Sequence, residues 1–388
     1  MTFLPADSLP LTPARTETEY RVRVMPGFTA QDWQPRPGEA TLFQRRDWLA
    51  PFYDAVAEHK PEIIPLTAEV GDVHGNLAFR LPLLMGQRGR LRVIVFADLN
   101  MTDFNAPLLG PAAPFGEAAA RDAWKQLRAS LPSHDLLHFT KMPATIGARP
   151  NPLLLAARPM PCAANGNLLT MGEDWNGFHF GLEKTVRKEL ERSWRVFTRD
   201  AGAALQVIED GDEAVALLAQ MEAMQRARMA EIGQPYELEA PVTAGFYRRL
   251  LATGVPSGFA FLTALKAGDE LVAALLGVRD GETYVMIRLV HAGGKWSNVS
   301  PGRLLIHKTL ELLHGKGYRR FDFSVGNYAY KRRFGPTRTP LFDIARAASP
   351  LGLAAAMRLR AGAFLRQHPE ARATVRRWLG KPASREEN

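Results

Sequence analysis

Cysteine is almost missing from this chain: Cys162 is the single thiol among 388 residues. One thiol cannot close an internal disulfide or build a cysteine metal cage, so the fold must be held by packing and hydrogen bonds. It stands between prolines in RPMPCAAN, which reads as an inert linker thiol and fits a reducing cytoplasm. No stretch approaches the roughly 20 consecutive apolar residues of a membrane-spanning helix. The best attempt, LGLAAAMRLRAGAFL, is broken by Arg358 and Arg360. The N-terminal MTFLPADSLPLTPARTETEY has no basic start followed by an apolar run, so it does not read as a secretory signal. Phosphate-cradling P-loops, dinucleotide fingerprints, zinc-finger spacings and aromatic RNA-binding patterns are also missing. The expectation is a soluble, cytoplasmic, metal-free protein.

What is present is basic charge in clusters. Lys and Arg number 49 against 40 Asp and Glu, a formal charge of +9, and such an excess favours anionic partners. Arginines crowd EKTVRKELERSWRVFTRD, YKRRFGPTRT and MRLRAGAFLRQHPEARATVRRWLGK. With 46% apolar and 23% charged residues, composition is that of a globular protein, and the length suggests roughly two to three domains.

The elements fall into a repeated order. After a loose leader (1–35) with one short strand, YRVRVM, comes a helix through RRDWLAPFYDAVAEHK. Strand-like runs follow at Ile63–Val70, Asn76–Leu84 and Leu91–Phe96, then a helix near Gly116–Ser130 and a strand, HDLLHFTKM. Residues 143–174 are rich in Pro, Gly and Asn and mark a boundary. The second half begins with the basic helix GLEKTVRKELERSWRVFTRD and a strand, ALQVIED. Two helices then lead to three strands joined by AGDE and DGE, which are hairpin signals. The helix SPGRLLIHKTLELLHGKG and the strand RRFDFSV complete the unit. Leu217, Leu218, Met221 and Met224 sit at core spacing. Helix, antiparallel three-strand meander, helix and strand, twice over, is the layout of the GNAT acyltransferase core. The fold expected is α+β, with two tandem GNAT-like domains of mostly antiparallel sheet flanked by helices. Their limits are 36–170 (acceptor side) and 171–350 (acyl-donor side), followed by a basic amphipathic segment, 351–388.

The chemistry concentrates in Asn298 to Phe334. At SPGRLL, Ser300 can cap a helix and Pro301 suits its first turn. Gly302 permits close approach of a ligand, the helix start is an anion site, and Arg303 adds a guanidinium. A well-capped helix alone would look the same. The strand RRFDFSV places Phe321 and Phe323 on one face, Asp322 and Ser324 on the other. After the Gly326–Asn327 turn, Lys331 stands where a cation could stabilise a developing oxyanion, and Tyr330 suits a general acid for a thiolate. Asp322, Glu282 and His291 are base candidates, and a lone His such as His291 or His307 is more often structural. In the first half, DLNMTDFNAPLLG brings Asp98, Asp103 and Asn105 to a strand end, as an acceptor-binding loop or a plain turn.

The run YRRFDFSVGNYAYKRRFG, with Gly326, Tyr330, Lys331 and Phe334, resembles a branch of GNAT acetyltransferases associated with bacterial exopolysaccharide and cellulose biosynthesis. It is also similar to the two-lobed Fem-type peptidoglycan aminoacyltransferases. SPGRLL, the helix from Val186 to Arg195 and DFNAPLLG (Asp103 to Gly110) carry the same likeness, over roughly residues 40 to 345. The resemblance implies acyl transfer from a thioester or activated ester to an amine or hydroxyl. The donor would lie in the C-terminal lobe and the acceptor between the lobes. On this reading Asn298, Ser300, Gly302, Arg303, Leu304 and Arg288 hold acyl-coenzyme A. Lys331, Tyr330 and Asp322 act at the reacting carbonyl, and Asp103 and Asn105 bind a sugar, polysaccharide precursor or small amine. The full glycine-rich loop of standard GNAT enzymes is absent, with only NVSPGR in its place.

An aminoacyl-tRNA donor and a catalytically silent GNAT-like binding module are the other readings. The helix from Glu183 to Arg199 would pack between lobes with a solvated polar face, or meet an anionic substrate. The C-terminal segment would pack through Leu353, Met357, Phe364, Val375 and Trp378, or meet an anionic membrane at the inner face. On sequence alone, Lys331→Ala is expected to lower turnover far more than stability.

Overall fold

The computed structural model describes residues 20–378. Residues 1–19 of the expected leader, residues 379–388, and the side chains of Val375 and Trp378 lie outside that description. Among the described residues no helix is long and apolar enough to cross a membrane.

The first lobe runs β1 (Arg21–Pro26), α1 (Arg46–His59), β2 (Ile64–Gly71), β3 (Leu77–Arg88), β4 (Leu91–Phe96), β5 (Leu108–Leu109), α2 (Glu117–Ser130) and β6 (Leu136–Pro143). A small hairpin of β7 (Thr145–Ile146) and β8 (Arg149–Pro150), with α3 (Pro152–Ala156), leads into β9 (Met160–Thr170). The second lobe runs α4 (Trp175–Gly181), α5 (Lys184–Phe197), β10 (Ala203–Ile208), α6 (Gly211–Glu231), α7 (Pro241–Gly254), β11 (Ala260–Ala267), β12 (Glu270–Asp280) and β13 (Thr283–His291). It ends with α8 (Pro301–Gly315), β14 (Arg320–Asp322), α9 (Ala329–Arg332) and β15 (Thr337–Ala347), followed by α10 (Pro350–Gln367) and α11 (Pro369–Trp378).

Local chemistry explains the joints. In the β2–β3 turn the Asp72 carboxylate accepts from the backbone N–H groups of His74 (2.9 Å) and Asn76 (2.8 Å), an Asx-type turn. The β11–β12 and β12–β13 hairpins turn at Gly268 (φ +59°) and Gly281 (φ +52°), where a side chain would be strained. Asp210 caps α6 by accepting from Glu213 N at 2.8 Å.

The lobes are not separate sheets. One thirteen-stranded sheet runs β1-β2-β3-β4-β6-β15-β9-β14-β13-β12-β11-β10, with β5 on β3. The strand that follows the first lobe, β9, pairs with β14 of the second. The strand that ends the second lobe, β15, pairs with β6 of the first, and β9 and β15 pair with each other. The lobes thus exchange their last strands. Residues 143–174, expected to be a linker from their Pro, Gly and Asn content, instead contain a central strand of the sheet. Cys162 is accordingly a half-buried strand residue, and burial raises its thiol pKa. A core also crosses between lobes: Trp48 of α1 and Phe246 of α7 meet edge-on at 4.8 Å. Leu217, Leu218 and Met221 are buried in that same core, as their spacing predicts.

The C-terminal helix departs from expectation. It packs through its small residues, Gly352, Ala356 and Ala363, while Leu353, Met357 and Phe364 point outward. Close approach explains this, because a methyl at Gly352 would overlap the backbone oxygen of Asp135. A large residue could not sit at that point of the face. Gly352→Ala is therefore expected to cost about 1–3 kcal/mol by overpacking. Phe364→Ser should stay within about 0.5 kcal/mol as a surface change. Urea unfolding of both variants checks this; equal midpoints would contradict the packing.

Candidate active site

Each lobe contains one parallel strand pair, and in both the pair is short. In the first, β4 and β6 meet only at Val93–Leu136 and Ile94–Leu137 before the strands part. The chain after β4 folds into that gap. Lys141 Nζ reaches Asp98 Oδ2 at 2.9 Å, and Asn105 Nδ2 donates to Asp98 Oδ2 at 2.8 Å and to Thr140 O at 3.0 Å. Asp98, Thr102 and Asn105 are all buried, so a hydrogen-bonded plug fills the first gap.

In the second lobe β13 and β14 pair over Thr283–Val285 against Arg320–Asp322 and then diverge. The register on β12 also slips, Gly277 facing Met286 and Leu276 facing Arg288, so Ile287 is an extra, bulged residue. Beyond it the β13 edge facing β14 has no strand partner among the described residues. A cavity of about 1100 Å³ opens there, between residues 286–293 on one side and Phe323, Ser324 and Val325 on the other.

The far end of this cavity is the start of α8, lined by Ser300, Pro301, Gly302 and Arg303. Ser300 does not cap the helix with its side chain, contrary to expectation. It takes a left-handed conformation (φ 46°, ψ 60°), and its hydroxyl accepts from Arg303 Nη2 at 2.7 Å. The first-turn N–H groups are thereby left to an anion. Gly302 is needed because a Cβ there would meet the His291 ring at 2.9 Å. Arg303 is tied to Glu189, which Arg333 also binds at 2.8 Å, so its charge is shared. Asn298 lies outside the cavity lining, its carbonyl accepting from Arg192 at 3.2 Å, and the Leu304 side chain is fully buried in the core.

A buried polar cluster forms the floor. Ser324, at φ +61°, donates its hydroxyl to Asp103 of the first lobe, and its backbone N–H donates to Asp322 Oδ1 at 2.7 Å. Lys331 is 3% exposed, and its Nζ donates to Phe323 O (2.7 Å) and Val325 O (2.6 Å). Asn167 of β9 holds the same turn from behind, donating to Ser324 O at 2.8 Å and Gly326 O at 3.0 Å. Burial raises the Asp322 carboxyl to about 7, and burial also raises Asp103, against the hydrogen bond from Ser324 and the charges of Lys141 and Lys331. Burial lowers Lys331 to about 8, while Asp103 and Asp322 oppose the fall. Burial keeps the Tyr330 hydroxyl protonated well above its ordinary range.

Of the residues singled out from sequence, Asp103, Arg288, Ser300, Gly302, Arg303, Tyr330 and Lys331 line the cavity, and Asp322 lies directly beneath it. Asn105 belongs to the first-lobe plug. Glu282 sits exposed in the β12–β13 turn, at the opposite end of β13 from α8. His291 lines the cavity as a neutral ring: burial lowers its pKa, and its Nε2 lies 2.9 Å from Arg228 Nη1. His307 neighbours His179 at 3.1 Å outside the cavity lining. Sequence reasoning gave no role to Ser324 and passed over Asn167 and Tyr236. The first bridges two carboxyls and the second comes from a segment read as linker. The expectation that Lys331→Ala would spare stability also changes, since the ammonium serves two carbonyls that would be left unpaired, at about 1–3 kcal/mol.

Residues 184–332 match the family model for the acetyltransferase (GNAT) domain, a span that holds the bulged strand, α8 and all of the cavity lining except Asp103. Among solved structures the chain is similar to FemX (TM-score 0.55, 10% identity, covering 83% of this chain and 96% of that one). Lesser likenesses are to the C-terminal domain (DUF2156) of a putative lysylphosphatidylglycerol synthetase from Agrobacterium fabrum (TM-score 0.49, 13% identity, 81% and 91% covered). A tandem GNAT protein from the clavulanic acid biosynthesis pathway also matches (TM-score 0.46, 14% identity, 85% and 99% covered). Comparison with curated proteins finds no match. At such identities the likeness concerns the fold, and the family match assigns a GNAT domain to the second lobe.

The floor carries a pH signature. Because the folded-state pKa of Asp322 is raised from 3.8 to about 7, the folded protein keeps a proton that the unfolded chain has lost between those values. That group's contribution to stability therefore declines as pH rises from about 4 to about 7. Asp322→Asn should flatten this decline in urea midpoints measured across the window; an unaltered slope would contradict the placement of the group.

Proposed function

We propose that this protein is an acyltransferase that carries an acyl group from acyl-coenzyme A, bound in the second-lobe cleft, to an amine or hydroxyl of a small metabolite, sugar or glycan precursor. The observation that carries this reading is the contrast between the two strand gaps. The first is plugged by Asp98, Asn105 and Lys141, whereas the second is open and runs from a bulged strand edge to a helix N-terminus.

The unpartnered edge of β13 offers backbone donors and acceptors to an extended, amide-bearing chain such as the pantetheine arm, by the logic of strand addition. The α8 start, with Arg303 and Arg228 beside it, suits the pyrophosphate. The acceptor nitrogen or oxygen bonds the acyl carbon, the carbon–sulfur bond breaks, the acceptor gives up a proton and the sulfur leaves with one. Asp322 or Asp103 can take the first proton. Tyr330, still protonated, can supply the second. The Lys331 charge beneath the cleft favours negative charge developing on the acyl oxygen.

A second reading, with an aminoacyl-tRNA as donor, is favoured by the exposed cations Lys188, Arg192 and Arg195 of α5 together with Arg332 and Arg338. Thermal unfolding with coenzyme A, acetyl-coenzyme A and longer acyl-coenzyme A species separates the two. Saturable stabilisation, reaching about 2.7 kcal/mol at a hundred times Kd, is expected. No shift with any of them, alongside steeply salt-dependent tRNA binding, would overturn the first reading in favour of the second.

A further inference from the structure

One wall of the cleft, where β13 faces α6 and the segment after it, holds a buried cation that the proposed donor contacts do not use. Arg288 leaves β13 just past the Ile287 bulge and is 6% exposed. Its Nη2 donates to Tyr236 Oη at 2.7 Å, and its guanidinium lies 4.7 Å from the Tyr247 ring centroid. Its other terminal nitrogen, Nη1, is buried without a hydrogen-bond partner. The carboxylate of Glu222 is 3.9 Å away, close enough to soften the charge but too far to accept a hydrogen bond. A buried donor left unmet is costly, and buried polar groups are overwhelmingly paired. A guanidinium on a cavity wall with one nitrogen unpaired therefore points to an acceptor brought by a ligand.

Opposite charge stands in the same space. Asp103 lines this cavity too. A planar fork of N–H donors and a carboxylate, lining one cavity, match a molecule that carries both a carboxylate and an amine. A neutral sugar hydroxyl would bring no opposite charge to either group.

We infer that the acceptor is an amino acid or a molecule ending in one, its carboxylate held by Arg288 and Tyr236 and its amine turned toward Asp103. This rests on the cleft being an acyl-donor site. The nitrogen then forms the amide bond as the carbon–sulfur bond breaks. Of the two protons an ammonium must lose, one passes to Asp103 and on to solvent, and the other leaves with the sulfur as thiol.

The test uses the full-length protein with acetyl-coenzyme A, following thiol release with each of the common L-amino acids and with its carboxamide. At least one acid should be acylated with kcat/KM about 10⁴-fold above its amide, the discrimination expected where buried polar groups would be left unpaired. Arg288→Gln should bring that ratio close to one. Should that variant not fold, Tyr236→Phe, which removes one hydroxyl, should narrow the ratio several-fold. Amides accepted as well as acids, a ratio unmoved by Tyr236→Phe, or no amino acid acylated by a protein that acetyl-coenzyme A stabilises, would each overturn the inference. Absence of any stabilisation by acetyl-coenzyme A would instead remove the donor reading, and this inference with it.

Discussion

The antiparallel pairing of β9 with β15 is the constraint on which the rest of the molecule depends. It joins two similar lobes into one sheet by giving each lobe the other's last strand. Gly166 of β9 lies so close to Thr339 of β15 and the Phe104 ring that a Cβ would collide with both. This contact brings the first-lobe loop carrying Asp103 against the second-lobe turn carrying Ser324. One residue further along, Asn167 fastens that turn from behind. The exchanged strand thus carries sheet pairing and site geometry at once. A shift of register by one residue would turn Asn167 to the other face and leave the Ser324 and Gly326 carbonyls without their donor.

The two lobes show what decides whether a strand gap becomes a cleft. Both open after two or three parallel pairs. In the first, Lys141 and Asp98 are both little exposed and face one another with Asn105 and Thr102, a satisfied network that fills the space. In the second, Lys331 turns its ammonium to the carbonyls of its own floor, and the space above stays empty of side chains. A lysine supports each gap, one closing it and the other underpinning it. Burying so many charges is tolerable only because nearly every one is hydrogen-bonded. The proposed function follows from this asymmetry, not from the fold, which serves many chemistries.

Much of the architecture was legible because it is local. Hydrophobic runs and the glycine turns at Gly268 and Gly281 mark the elements without reference to the rest of the chain. Lys331, Tyr330, Asp322, Arg303 and Gly302 were legible for a similar reason: they lie on two short segments, each with a recognisable turn chemistry. The strand exchange was not, because β9 is written in Pro, Asn and Gly, residues that favour turns in isolation. Sheet partners on both sides override that preference. The outward turn of Leu353, Met357 and Phe364 was hidden too, since only the proximity of Asp135 to Gly352 decides which face of α10 can dock. Ser324 and Asn167 owe their roles to contacts 221 and 157 residues apart in sequence. No spacing rule reaches across such distances.

The central claim is that acyl-coenzyme A lies along the open edge of β13 and ends at the start of α8. Backbone hydrogen exchange with and without coenzyme A measures this most directly. The account predicts slowed exchange at residues 286–291 and at Gly302 and Arg303, with little change in residues 97–105 of the plugged first lobe. Slowing confined to the first lobe, or none at either place under saturating coenzyme A, would contradict it.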